Sequence, residues 1–326
     1  MEKDEKNADA TLYLGLCMAR LKESKAAFRQ FKLAAKLNKS NAEPWLHTGL
    51  LYQEEGNFKK AGKAYQKALK LDENYIEAWY NAGVVYFHRK KWEKAGEHLK
   101  KAAEFDPLDP DPLLQLGNVG FQTGDLASAI KYYTLTLALE ENQFVAWFNR
   151  ARSLSHLGDL YSALKDYTAA LELSKDYDTY LNRGIVSTQL NLPEEAIQDF
   201  NQAILIDSSR SEAFYNRGYV YFKMKNREPS RLDFRKVVHR DPTDPEAWYF
   251  LGRIAFQDSD PEKASMLFTK SLKANKKYGP SWLQKGDAYL AMREEKAACK
   301  AWKKAFKLGD SDLKRAASER MQKHCE

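Results

Sequence analysis

Cysteine is scarce: Cys17, Cys299 and Cys325 are the only three in 326 residues. An odd number without metal-type spacing argues against a disulfide-stapled scaffold and a cysteine zinc site, and implies reduced thiols. No stretch approaches the ~20 uninterrupted apolar residues of a membrane-spanning helix, so no membrane insertion is expected. The opening MEKDEKNADA has no apolar core of a secretory signal. An intracellular protein is therefore expected, cytoplasmic first, with nucleus and cilium left open. Catalytic signatures are missing too. There is no glycine-rich phosphate loop after a strand, no H-E-x-x-H, no C-x-x-C and no G-x-S-x-G. The six histidines, His47, His88, His98, His156, His239 and His324, show no ligand spacing. The chain is thus read as a non-enzyme, with no cofactor and no metal.

What the sequence does have is a period. Small residues stand at Gly15, Gly49, Gly83, Gly117, Ala151, Gly184, Gly218, Gly252 and Gly286, each 34 residues after the last except for one step of 33. Twelve residues after each comes Ala27, Ala61, Ala95, Ala129, Ala163, Ala196, Ser230, Ala264 or Ala298. A mostly aromatic slot lies four before the small residue, from Trp45 and Trp79 through Trp248 and Trp282. Another large series, from Phe31 and Tyr65 to Phe268 and Trp302, lies sixteen after it. Half of the glycines and five of the seven tryptophans fall in one slot each. Within each unit the apolar residues recur at helical spacing in two runs, separated by turns such as EEGNF, QTGDL and HLGDL. Each unit is therefore predicted to be two antiparallel helices, A and B. The mid-helix glycine, which costs ~1 kcal/mol in propensity, is explained by close approach of helix B. One helix pair cannot bury both faces, so the units must stack.

This pattern resembles the tetratricopeptide repeat (TPR) family, W-x-x-[small]-G-x-x-[YF] in helix A and A-x-x-x-[FY]-x-x-A in helix B. The resemblance implies an all-α fold, a right-handed α-solenoid of about nine TPR repeats with a C-terminal capping helix. The expected division is a disordered N-terminus at 1–7, repeats at 8–41, 42–75, 76–109, 110–143, 144–176, 177–210, 211–244, 245–278 and 279–312, and a cap at 313–326. Repeat 6 is one residue short in LSKDYDTY (173–180), where the stacking angle should change.

By the same resemblance the A helices line a concave groove. The groove-facing slots lie two, three and six residues before the small residue and one, four and five after it. Two before it stand Asn81, Gln115, Asn149, Asn182 and Asn216 in consecutive repeats. A side-chain amide offers one acceptor and two donors, which matches a peptide unit. The series resembles the asparagine ladder in the TPR region of O-linked N-acetylglucosamine transferases, although no catalytic domain follows here. Two readings stand: a ladder for an extended peptide, or polar residues that bond their own repeat. Tyr80, Phe148, Tyr215, Tyr219 and Tyr249 would supply apolar groove surface, with Arg152 and Arg253 placed to meet acidic side chains. The three-repeat carboxylate clamp of chaperone-binding relatives is absent.

Arg150, Arg183 and Arg217 each precede an aspartate by sixteen residues (Asp166, Asp199, Asp233). This predicts an ion pair between the helices of one repeat, worth little if exposed. Charge is uneven, with net values of +5 over 8–41, 0 over 42–109, −6 over 110–210 and +9 over 211–326. The function read from all this is a non-catalytic scaffold or adaptor that binds protein partners in the groove. The alternative is an RNA-associated helical-repeat protein using the basic C-terminal third, but the acidic centre interrupts any continuous nucleic-acid track. The sequence leaves oligomeric state open.

Overall fold

A computed structural model describes residues 2–325. Among them the chain is all helix, in nine pairs. The pairs are α1 (Glu2–Arg20) with α2 (Ser24–Leu37), α3 (Glu43–Glu54) with α4 (Phe58–Leu71), α5 (Ile76–His88) with α6 (Trp92–Phe105), α7 (Pro110–Thr123) with α8 (Leu126–Leu139), and α9 (Phe144–Leu157) with α10 (Leu160–Leu173). They continue as α11 (Tyr177–Gln189) with α12 (Pro193–Ile206), α13 (Glu212–Lys223) with α14 (Arg227–Arg240), α15 (Pro245–Gln257) with α16 (Pro261–Ala274), and α17 (Gly279–Ala291) with α18 (Glu295–Leu308). A last helix, α19 (Ser311–His324), packs on α18. Within pairs one to five, and again within pairs six to nine, each helix packs against its pair partner and each pair against the next, the arrangement of a TPR solenoid. The chain divides into two compact units, up to Leu173 and from Ser174, at the junction that is one residue short.

The slots explain the packing. A Cβ added at Gly117 would come within 2.5 Å of the Tyr133 ring, and one at Gly83 within 2.6 Å of Leu99. The large residue of helix B thus lies directly on the glycine of helix A, and Tyr65, Tyr133, Phe200, Phe268 and Trp302 are fully buried there. The ring four residues before the glycine fixes the incoming linker: the indole N–H of Trp79, Trp147, Trp248 and Trp282 donates to the carbonyl six residues upstream at 2.8–3.0 Å. A cation often covers the other face, as Lys67 does over Trp45 at 4.0 Å and Lys304 over Trp282 at 4.4 Å. Between A and B, the residue seven after the small one is left-handed in all nine turns. Gly56, Gly124 and Gly158 take that place in three, and Lys22, Lys90, Asn191, Lys225, Ser259 and Arg293 in the rest. Only the glycine turns had been legible in the sequence, because the other six carry the strained conformation on ordinary side chains.

Three expectations need correction. Residues 2–7, expected to be disordered, continue α1; the stretch has no glycine or proline and is rich in good helix formers. Met1 lies outside the described residues. The cap begins at Ser311, not 313, because the Asp310 carboxylate accepts from the Leu313 amide at 2.9 Å. Finally, Cys299 and Cys325 are not reduced thiols but form a disulfide, with Cα atoms 5.8 Å apart. Antiparallel return of α19 over α18 brings together residues 26 positions apart, which no linear spacing signals. Asp287 of α17 accepts two hydrogen bonds from Arg320, at 2.6 and 3.1 Å, and so ties the same helix down a second time. Cys17 stays free and exposed.

Candidate functional site

The twelve residues predicted for the groove are all half-buried, and all lie on A helices. Three of the amides share one geometry. Asn81, Asn182 and Asn216 each donate Nδ2 to the carbonyl four residues earlier, Glu77, Asp178 and Glu212, at 2.7, 2.6 and 2.8 Å. Each side chain is thereby pinned to its own helix, while no donor among the described residues reaches its Oδ1.

In the first unit the amides are wired to one another. Asn149 on α9 donates to Oδ1 of Asn118 on α7 (3.1 Å), and Asn118 in turn donates to Oε1 of Gln115 (3.2 Å). The buried Tyr133 hydroxyl also donates to Asn118 Oδ1, at 2.8 Å. The phenol of Tyr80 on α5 is pushed up to about 12, mainly by burial and then by Asp111 and Asp109. The relay thus joins two successive A helices, α7 and α9, and the B helix between them. The sequence alone does not single out Asn118, although its place, directly after the small residue, is one of the groove slots. The amide series stops where Phe250 takes the slot and sinks into the core at 8% exposure.

The two predicted arginines repeat a motif, one in each unit. The Arg152 guanidinium lies 4.6 Å from the Phe121 ring centroid and 5.7 Å from that of Phe148. Arg253 lies 4.8 Å from Phe222 and 5.7 Å from Tyr249. Both occupy the slot after the small residue, sandwiched between a ring of their own repeat and one of the repeat before. Burial pushes the Tyr249 phenol up against the pull of the Arg253 charge, and Arg152 has no carboxylate within ion-pair range among the described residues. Tyr215 donates its hydroxyl to Glu246, and burial together with that carboxylate drives its pKa well up. Tyr219 sets its ring edge-on to Phe250 at 5.6 Å. The first turns of the A helices carry Glu77, Asp111, Asp178, Glu212 and Glu246, as the helix dipole favours.

The Arg–Asp pairs form as predicted, but they are not surface pairs. Arg150 grips Asp166 through Nε and Nη2 (2.7 and 2.9 Å), Arg183 grips Asp199 (2.9 and 2.6 Å), and Arg217 grips Asp233 (2.8 and 2.7 Å). The aspartates are 4–5% exposed at the side chain. Burial pushes the Asp199 carboxyl up against the pull of Arg183. Arg150 also reaches Thr134 of α8 at 3.0 Å, and Arg217 reaches Asn201 of α12. Each of these two arginines therefore bridges the B helices of two successive repeats. Among the described residues no group of three or more His, Cys, Asp or Glu could hold a metal ion, and no helix is long and apolar enough to cross a membrane.

Comparison with known proteins agrees with this geometry. A profile described as TPR repeat matches residues 49–88 and 184–225. Three described as tetratricopeptide repeat match 76–109, 215–280 and 145–177. Together they span more than half of the chain. A search of curated proteins finds no match. Among solved structures, the chain is similar to YrrB, "a TPR protein with an unusual peptide-binding site", with 27% identity and a TM-score of 0.51 over 56% of this chain and 95% of that one. It is also similar to a tetratricopeptide repeat protein from Parabacteroides merdae (22%, TM-score 0.57, 74% and 97%). A third similar structure is PilF of Pseudomonas aeruginosa (22%, TM-score 0.56, 68% and 99%).

Proposed function

Because this chain belongs to the tetratricopeptide repeat superfamily and is a protein-interaction scaffold, we propose that each of its two units holds an extended peptide segment of a partner along its A-helix amides. The observation that carries this reading is the shared pose of Asn81, Asn182 and Asn216, pinned by one N–H with the acceptor left over. An amide held in one rotamer loses little entropy when it receives a backbone N–H, which is the benefit of preorganisation. The Arg–aromatic sandwiches beside the amides supply flat apolar contact and positive charge, so acidic and aromatic side chains of the guest fit that edge. YrrB, 27% identical over 56% of this chain, has a peptide-binding site by its published description, which favours the same use of the fold.

The test begins with peptides selected from a random library on the intact protein, followed by dissociation constants from fluorescence anisotropy. Asn81→Ala/Asn149→Ala should weaken peptides held by the first unit, and Asn182→Ala/Asn216→Ala those held by the second. Two lost hydrogen bonds at ~0.5–1.5 kcal/mol each correspond to a loss of roughly five- to 150-fold. Unchanged affinity in both variants, with helicity preserved, would remove the ladder from the reading.

A further inference from the structure

In repeats 5, 6 and 7, the residue before the small slot is Arg and the residue fifteen after it is Asp. Arg150 and Arg217 use that pairing to fill the cleft between successive B helices, bonding Asp166 and Thr134 in one case and Asp233 and Asn201 in the other. Repeats 4 and 8 break the rule in the same way. Leu116 and Tyr132 replace the pair in repeat 4, and Leu251 and Leu267 replace it in repeat 8. At both places the cleft stands open, at ≈ 800 Å³ between α6 and α8 and ≈ 460 Å³ between α14 and α16.

The second cleft has the sharper chemistry. Its floor is apolar, with Val238, Leu251 and Ala255 buried. Its rim carries Arg231, Arg235, Lys263 and Lys270 against only Asp258 and Asp260. Both carboxylates are already engaged: Asp258 pairs with Arg227 at 2.9 Å and with Arg231, and Asp260 caps α16 by accepting from the Lys263 amide at 3.0 Å. Lys270 sits 4.5 Å over the Trp248 ring, while the side chains of Arg235 and Lys263 have no acceptor within reach among the described residues. We propose that this cleft, on the B-helix side and apart from the A-helix amides, is a binding site for a small amphiphilic anion: an aromatic or branched apolar body bearing a sulfonate, phosphate or carboxylate. The volume lies within the range of small-molecule sites, and an apolar floor with a few convergent polar groups is their usual make-up. The guest would do from outside what the internal Arg–Asp pair does in the neighbouring repeats, filling the gap between two B helices, but with opposite charge at the rim.

The probe is 8-anilinonaphthalene-1-sulfonate, titrated into the full-length protein and followed by fluorescence. A saturable component should appear that octyl phosphate displaces and equimolar inorganic phosphate does not. Leu251→Arg/Leu267→Asp/Arg235→Asn reproduces the Arg217, Asp233 and Asn201 set of the preceding repeat and should abolish that component while leaving far-UV circular dichroism intact. Arg235→Glu/Lys263→Glu changes only exposed side chains and should weaken it at least fivefold, so it decides the matter even if the plugged variant does not fold. Equal binding by the charge-reversed variant would overturn the proposal. So would equally tight binding of the uncharged N-phenyl-1-naphthylamine, or displacement by inorganic phosphate alone.

Discussion

Replacing Arg217 with leucine would strand the Asp233 carboxylate at 4% side-chain exposure, with both of its guanidinium hydrogen bonds gone. Removing one partner of such a buried pair typically costs about 3–5 kcal/mol, because the remaining charge keeps its desolvation penalty. Replacing both partners by well-packed apolar groups is often neutral, and the next repeat carries an uncharged pair, Leu251 and Leu267, in the same two slots. Arg217→Leu should therefore lower the melting temperature of the C-terminal unit by roughly 6–20 °C, at ~2–4 °C per kcal/mol for a unit of this size. Arg217→Leu/Asp233→Leu should recover most of the loss. Thermal melts by circular dichroism, supported by hydrogen exchange of α13 and α14, would measure both. Repeat arrays lose two-state behaviour readily, so the exchange data assign the change to its repeat. If the double variant were as unstable as the single one, the pair would be doing something other than neutralising a buried carboxylate.

Gly117→Ala should destabilise, since overpacking against the buried Tyr133 at 2.5 Å costs about 1–3 kcal/mol against ~1 kcal/mol of helix propensity gained. At Gly218 the nearest atoms would be 3.2–3.4 Å away, so Gly218→Ala should be near neutral or stabilising, and chemical denaturation ranks the two. Burial lowers the pKa of His98 below the usual 6.5, so the unfolded chain takes up the proton first as pH falls. Stability is then fully present above 6.5 and declines below it toward the folded value, and His98→Gln should flatten the melting temperature between about pH 7.5 and about pH 5.5. A wild-type melting temperature that rises on acidification in that window would contradict this. Reducing Cys299–Cys325, or Cys325→Ser, should destabilise α19 by about 3–4 kcal/mol on the chain-entropy estimate for a 26-residue separation, and should be visible as faster exchange in that helix alone.

The parts of this fold legible in the sequence are those in which one slot does one job in repeat after repeat. Glycine under a ring, alanine at the helix crossing and tryptophan over the linker all repeat at a fixed step, so chance cannot imitate them. The Arg–Asp pairs were legible for the same reason, since both partners come and go together; their burial was not, because it depends on the stacking of neighbouring repeats. The amide series was legible as a repeated slot, and Asn81, Asn182 and Asn216 bond their own helix as one of its two readings expects, with no donor among the described residues on the remaining acceptor. Asn118 and the Cys299–Cys325 bridge went unread because each occurs once, and a single residue gains its meaning only from what the packing brings beside it.

The bridge at the last helix also has a mechanical side. A pull on the chain beyond Cys325 passes through sulfur into α18, bypassing α19 and the turn before it. Tension would therefore reach the stack of repeats at its final B helix, while the terminal helix stays slack inside a covalent loop. In a protein that ties other proteins together, such an arrangement keeps the exposed end of the array covered under load.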